Sequence, residues 1–151
     1  MKVIIVGGDS LNSLQVASLQ NRAGEKGLSG TICYTGTVKH TRLPLFYSAA
    51  DVTAIPSLYE SFSLVALESI ACGTPLVGGP VGVLPELLAP QGKVTPGLLV
   101  GDRNPAAWAE AIRKVWLMGP LKDDLIDESL APFNWLAAAE GLTREVSSLL
   151  N

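Results

Sequence analysis

Short apolar runs, each closed by a nearby glycine or proline, constrain the fold of this chain more than any other feature. They occupy residues 2–6, 31–34, 52–55, 76–77 and 97–100, and stretches with helical spacing of apolar residues separate them. Continuous apolar runs indicate strands that are buried on both faces, and strands that alternate with helices indicate a parallel sheet. We therefore predict an α/β fold, a doubly wound, Rossmann-like parallel sheet of about five strands with helices on both faces.

The segments between and after these runs predict helices. Apolar residues recur at intervals of three and four, which is the spacing of one helix face. Glycine and proline close most of these segments, because neither residue continues a helix well. The predicted helices cover residues 11–26, 43–50, 62–71, 105–118, 121–130 and 135–150.

Composition excludes several classes of protein. No apolar run approaches the ~18 residues that a membrane-spanning helix needs, and the apolar start is too short for a signal peptide. The net charge of −3 provides no basic surface for nucleic acid. Cys33 and Cys72 lack metal-type spacing and are predicted to be buried free thiols of a reducing compartment. We expect one cytoplasmic domain over residues 1–151, with no transmembrane segment.

Ligands of doubly wound sheets bind at the carboxyl ends of the strands, beside helix N-termini. In this chain those ends fall at residues 7–10, 35–38, 56–63 and 78–83, and each contains glycine or serine. Small residues at several such ends favour a ligand that carries phosphate.

Two glutamates in an otherwise apolar segment raise the question of what they bind. Glu60 precedes the predicted helix 62–71, and Glu68 lies about two turns into it. Side chains on a helix lean toward its N-terminus, so Glu68 should point to the end that Glu60 flanks. The backbone N–H groups of Phe62, Ser63 and Leu64 would form an anion site between them. A sugar nucleotide carries a diphosphate and, on either side of it, hydroxyl groups of the sugar and of the ribose. Two hydrogen-bond acceptors that flank a phosphate site would complement such a ligand. Alternatively, Glu68 pairs with a basic residue on a partly exposed face, and Glu60 is a solvated loop residue.

The stretch from Glu60 to Glu68 reads ESFSLVALE and continues as SIACGTPLV. It resembles the E-x7-E signature of retaining glycosyltransferases with the GT-B fold, and in particular glycosyltransferase family 4, which includes sucrose-phosphate synthases. Further stretches fall in that family's order: IVGGD at 5–9, YTGTV at 34–38, LFYSAADV at 45–52, IPSLYE at 55–60, GLLV at 97–100 and FNW at 133–135. The resemblance covers essentially the whole chain and implies the C-terminal, donor-binding half of a GT-B fold.

The resemblance also implies roles for individual residues. Glu60, the implied catalytic residue, would bind hydroxyls of the donor sugar, and Glu68 would bind the ribose hydroxyls. The amides at Ser63 and Leu64 would hold the diphosphate at the helix N-terminus. In addition, the Gly36-Thr37-Val38 turn would lie against the base, and the Gly7-Gly8 loop would line the same cleft. The donor would be a UDP-, GDP- or ADP-sugar, with no cofactor and no metal required.

The chain departs from the family pattern in two respects. Ser61 and Ser63 stand where the family usually has proline and glycine, so Ser63 could crowd the phosphate. By the resemblance, this sequence is also expected to lack the N-terminal acceptor half and the first strand–helix unit of the donor-binding half, which carries an Arg and a Lys that neutralise the diphosphate. Lys39, Arg42, Lys93 and Arg103 are scattered and give no obvious substitute. We therefore expect weak nucleotide binding and little or no transfer by the isolated chain.

Other functions remain open at this point. A non-catalytic GT-B-like module could self-associate through the surface that the missing half would cover, and a sugar-nucleotide epimerase would share the fold. A dinucleotide-dependent dehydrogenase is disfavoured because the first strand is followed by GGDSLN rather than G-x-G-x-x-G. A phosphoacceptor signalling domain is disfavoured because Asp9 stands alone after that strand.

Overall fold

The structure, a computed structural model, describes residues 1–8, 14–89 and 94–149, and for Leu14 and Gln15 only the backbone. The chain divides into two compact units, unit 1 over Met1–Leu43 and unit 2 over Pro44–Asn151. The strands are β1 Val3–Val6, β2 Ile32–Gly36, β3 Thr53–Ile55, β4 Leu76–Gly78 and β5 Gly97–Leu99. The helices are α1 Leu14–Glu25, α2 Leu43–Ala49, α3 Leu64–Ala71, α4 Leu84–Leu88, α5 Pro105–Met118, α6 Asp123–Leu130 and α7 Trp135–Leu149. Short 3-10 turns precede α2 and α7.

Unit 1 contains a two-stranded parallel sheet. Strand β1 pairs with β2 from Val3 opposite Ile32 to Val6 opposite Gly36. All four residues of β1 are exposed although all are apolar. A sheet of two strands has little surface on which to bury such side chains.

Unit 2 is built on a three-stranded parallel sheet in the order β3-β4-β5. Its central strand shows that both faces are covered. Successive side chains of a strand point to opposite faces, and Leu76 and Val77 of β4 are each fully buried. Leu76 belongs to a core with Ala66 and Ile70 of α3, whereas Val77 packs with residues of α5.

Helix α5 shows how local sequence fixes the ends of an element. The Asn104 side chain accepts a hydrogen bond from the N–H of Ala106 at 2.9 Å, and Pro105 occupies the first turn. The helix ends at Gly119, whose φ of +74° suits glycine. Ala111 and Val115 are buried, whereas Trp116 is 56% exposed.

The predicted α/β class, with parallel strands and helices, is confirmed. All five predicted strands form, but they lie in a two-stranded and a three-stranded sheet rather than in one sheet. Helix α4 was not predicted, because five residues are too few to show a period. Of the predicted helix 11–26, residues 11–13 lie outside the described residues. The prediction of a single domain stays a prediction.

The two cysteines differ from their predicted state. Both are free thiols, but Cys33 is exposed and Cys72 is only half-buried. Cys33 lies in β2 of the small unit 1 sheet, where burial is slight. Within the described part of the chain, no helix has the length and apolar character to cross a membrane.

Candidate functional site

The loop between β3 and α3 carries the first glutamate. Strand β3 ends at Ile55, and α3 begins at Leu64. Within this loop Glu60 is half-buried, and its Oε1 accepts a hydrogen bond from Ser57 Oγ at 2.8 Å. The Ser57 hydroxyl thus fixes one carboxylate oxygen of Glu60 and leaves capacity for further donors, since a carboxylate offers about four lone-pair sites.

Ser63, the residue before α3, has an unusual backbone. Its φ of 78° and ψ of 68° are left-handed, and among the described residues it is the sole non-glycine with a positive φ. The residue is 4% exposed, and its Oγ is buried with no hydrogen-bond partner in the described structure. Ser63 therefore adopts the conformation that a glycine would adopt, despite having a side chain.

This turn determines where the first amides of α3 point. The carbonyl of Ser63 accepts a hydrogen bond from the N–H of Ala66 at 3.1 Å, which starts the helix. Among the described residues, no backbone carbonyl accepts from the N–H groups of Ser63 or Leu64. Unpaired N–H groups at a helix N-terminus are the donors that bind phosphate in other proteins.

The loop after β4 supports the loop after β3. The N–H of Val83 donates to the carbonyl of Phe62 at 2.9 Å. Gly82 has φ +53°, and a Cβ there would lie 2.6 Å from the Phe62 carbonyl oxygen and 3.2 Å from Glu60 Cβ. The Phe62 ring stands edge-on to Phe133, with centroids 6.0 Å apart. The segment that carries Glu60 is therefore held by close backbone packing and by an aromatic contact.

The second glutamate lies on α3. Glu68 is half-buried, and its Oε2 accepts a hydrogen bond from the Tyr47 hydroxyl of α2 at 2.9 Å. The pKa of Tyr47 is raised well above its usual range, first by burial of the ring and then by this hydrogen bond and the negative charge of Glu68. No local sequence pattern reveals this role of Tyr47, because Glu68 lies 21 positions away in sequence.

The predicted residues of unit 1 also group together. Gly7 and Gly8, at the end of β1, have φ values of +109° and +92°. The N–H of Gly7 donates to the carbonyl of Gly36 at 2.9 Å, and Thr37 Oγ1 donates to the carbonyl of Gly8 at 2.9 Å. Val38 follows this pair of turns and is half-buried. Two glycine turns are thus joined at the carboxyl ends of β1 and β2, as predicted for strand ends of a parallel sheet.

The predicted site residues thus form one group in each unit, and their assignment to a ligand stays a prediction. Of the scattered cations, Lys39, Arg42 and Arg103 are exposed, and Lys93 lies outside the described residues. Among the described residues, no group of three or more His, Cys, Asp or Glu side chains is placed to hold a metal ion.

Comparison with known proteins decides the family. A model described as "Glycosyl transferases group 1" matches residues 1–130. The chain belongs to the group 1 glycosyl transferases. The family predicted from the E-x7-E stretch is thereby confirmed.

Relatives of this group 1 chain include D-inositol 3-phosphate glycosyltransferases. The chain is 38% identical to the protein of Mycobacteroides abscessus over 144 residues, covering 94% of this chain and 32% of that protein. It is also 38% identical to the Corynebacterium jeikeium protein over 146 residues, covering 94% and 34%. The group 1 chain therefore spans about a third of the length of these curated relatives.

Solved structures agree with this fold. Sucrose-phosphate synthase from Thermosynechococcus elongatus superposes with a TM-score of 0.76 at 30% identity, covering 99% of this group 1 chain and 38% of that one. Anabaena HepE in complex with UDP superposes with a TM-score of 0.73 at 21% identity, covering 98% and 41%. At 21% identity, the similarity to HepE shows a shared fold and nothing further.

Proposed function

We propose that this chain is the donor-binding part of a retaining glycosyltransferase. It binds a nucleotide-diphosphate sugar, and the hexose is transferred to an acceptor when the rest of the enzyme is present. The left-handed backbone of Ser63 is the observation that carries this proposal. Strained backbone persists where the surrounding structure enforces it and is concentrated at binding sites. Here it lies between two glutamates at the N-terminus of a helix.

Each part of the donor has a counterpart in unit 2. The N–H groups of Ser63 and Leu64 suit the diphosphate, whose negative charge is also stabilised by the α3 dipole. Glu60, held by Ser57, suits hydroxyls of the sugar and is the proposed catalytic residue. Glu68, held by Tyr47, suits the ribose hydroxyls. The roles proposed for Gly7, Gly8, Gly36, Thr37 and Val38 rest on the family resemblance alone.

We assign acceptor binding and sugar transfer to the part of the enzyme outside this chain. The chain spans about a third of the length of its relatives, and its described cations Lys39, Arg42 and Arg103 are exposed. Stabilisation of a leaving diphosphate requires donors and cations that are already in place around it. We therefore expect the isolated chain to bind donors weakly, with a Kd on the order of 1 mM, and not to transfer sugar.

Calorimetric titration with UDP-glucose, GDP-mannose and ADP-glucose tests the proposal. We expect one of the three to bind. Glu68→Gln should then weaken its affinity about tenfold or more, because a hydrogen bond to a charged group contributes about 1.5–3 kcal/mol. Glu140→Gln is the matched control, since Glu140 is exposed on α7, and it should leave the affinity unchanged.

A self-associating, non-catalytic module is the second candidate. The four exposed apolar residues of β1 favour it, because such a surface promotes association. If none of the three donors binds, the donor-site proposal is wrong. A concentration-dependent dimer in sedimentation would then support the module.

A further inference from the structure

The hydrogen bond between Tyr47 and Glu68 connects two helices that are separated in sequence. Tyr47 lies in α2, and Glu68 lies 21 positions later in α3. Both belong to unit 2, so the contact is internal to one compact unit. The hydroxyl donates to a single carboxylate oxygen, Oε2, at 2.9 Å.

Tyr47, the hydrogen-bond donor of this pair, is itself anchored to the core of unit 2. Thr74 Oγ1 donates to the backbone carbonyl of Tyr47 at 2.6 Å. Thr74 is 3% exposed, and its own carbonyl accepts from Ser69 Oγ at 2.9 Å. Ser69 Oγ also lies 2.8 Å from Thr53 Oγ1 of β3. Hydroxyl groups from β3, α3 and the turn after α3 therefore fix the position of Tyr47 relative to Glu68.

Tyr47 is a permanent donor in this pair. Burial raises its pKa, and the hydrogen bond to Glu68 raises it further. A raised pKa keeps the hydroxyl protonated throughout the neutral range, so it can donate but cannot act as a base. The pair therefore suits orientation of the carboxylate rather than proton transfer.

We propose that Tyr47 is a positioning residue that fixes the Glu68 carboxylate to receive the two ribose hydroxyls of a nucleoside diphosphate. This inference rests on the proposed function. The Tyr47 hydroxyl is one of the contacts that orient the Glu68 carboxylate, and without it part of that order would have to be restored each time the ligand binds. Ordering one flexible side chain reduces affinity by about three- to tenfold.

The test separates positioning from a general structural role. Calorimetry measures binding of UDP and of 2′,3′-dideoxy-UDP to the wild type and to Tyr47→Phe, and the corresponding GDP and ADP pairs are measured in parallel. Tyr47→Phe should reduce the affinity for UDP, or for whichever diphosphate binds, about three- to tenfold. Its affinity for the dideoxy analogue should stay within about twofold of the wild-type value, because that analogue has no ribose hydroxyls to donate to Glu68.

Two further variants complete the design. Thr74→Ala removes the anchor of the Tyr47 carbonyl and should reduce the affinity in the same direction but by less. Tyr34→Phe is the matched control, because the Tyr34 hydroxyl has no hydrogen-bond partner in the described structure, and it should change neither affinity. Far-UV circular dichroism checks that each variant is folded.

The outcomes are distinct. If the wild type binds none of the diphosphates, the proposed function and this inference both fail. If the wild type prefers the ribose forms but Tyr47→Phe weakens both ligands equally, or weakens neither, only the positioning role of Tyr47 is wrong.

Discussion

Ser63 is held in a conformation that its side chain disfavours. A left-handed backbone costs an L-residue about 1–2 kcal/mol, and its buried hydroxyl has no partner in the described structure. By the family resemblance, glycine is expected at this position, and glycine adopts a φ of 78° without the steric penalty that serine incurs.

Ser63→Gly should accordingly stabilise the chain. Relief of strain and removal of an unpaired hydroxyl contribute about 1–2 and 1–3 kcal/mol, and the greater freedom of glycine in the unfolded chain offsets about 0.5–1 kcal/mol. We expect the free energy of unfolding, measured by urea denaturation, to rise by about 1 kcal/mol or more. Ser63→Ala removes the hydroxyl but keeps the strain, so its gain should be smaller. A lower stability of Ser63→Gly than of the wild type would contradict this account.

Individual elements differ in how well the sequence predicts them. Strand ends and the end of α5 are predicted within one or two residues, because glycine and proline interrupt each pattern. The predicted start of α3 at Phe62 is two residues early, since serine gives no signal for the left-handed turn at Ser63. Contacts between residues that are distant in sequence could not be predicted. No local pattern reveals that five strands form two sheets or that the Tyr47 hydroxyl reaches Glu68, because both depend on such contacts.

The loops after β3 and β4 are coupled through Gly82, and this coupling can be tested. A Cβ at Gly82 would overlap the Phe62 carbonyl and would occupy a backbone with φ +53°. Gly82→Ala should therefore reduce the free energy of unfolding by about 2–3 kcal/mol. It should also weaken donor binding, because the loop that carries Glu60 must shift.

Two glycines supply the controls for Gly82→Ala. Gly73 has φ +78°, and an added Cβ there would meet only Ile126 Cδ1 at 3.8 Å, an ordinary contact distance, so Gly73→Ala reports backbone strain of about 1–2 kcal/mol. Gly101 has open space and no positive φ, so Gly101→Ala should be nearly neutral. Equal losses of unfolding free energy for Gly82→Ala and Gly73→Ala in urea denaturation would contradict a destabilising contact between an added Cβ at Gly82 and the Phe62 carbonyl.

At the scale of the whole molecule, the two units differ in how deeply their strands are buried. In unit 2, β4 is paired on both sides, and Leu76, Val77 and Gly78 are all buried. In unit 1, β1 is paired within the described residues only with β2, and its side chains are exposed. Local opening requires little free energy where few apolar contacts are lost, so stability should be unequal along the chain.

Amide hydrogen exchange measures this difference directly. After correction for intrinsic rates, the amides of β4 should be protected about 100-fold more than those of β1, because two-stranded sheets are marginal in water. The exchange is measured at several protein concentrations, since self-association through β1 would raise its protection as concentration increases. Equal protection of β1 and β4 at every concentration would mean that the free energy of local opening is the same in both units. The exposure of β1 would then have no effect on its local stability.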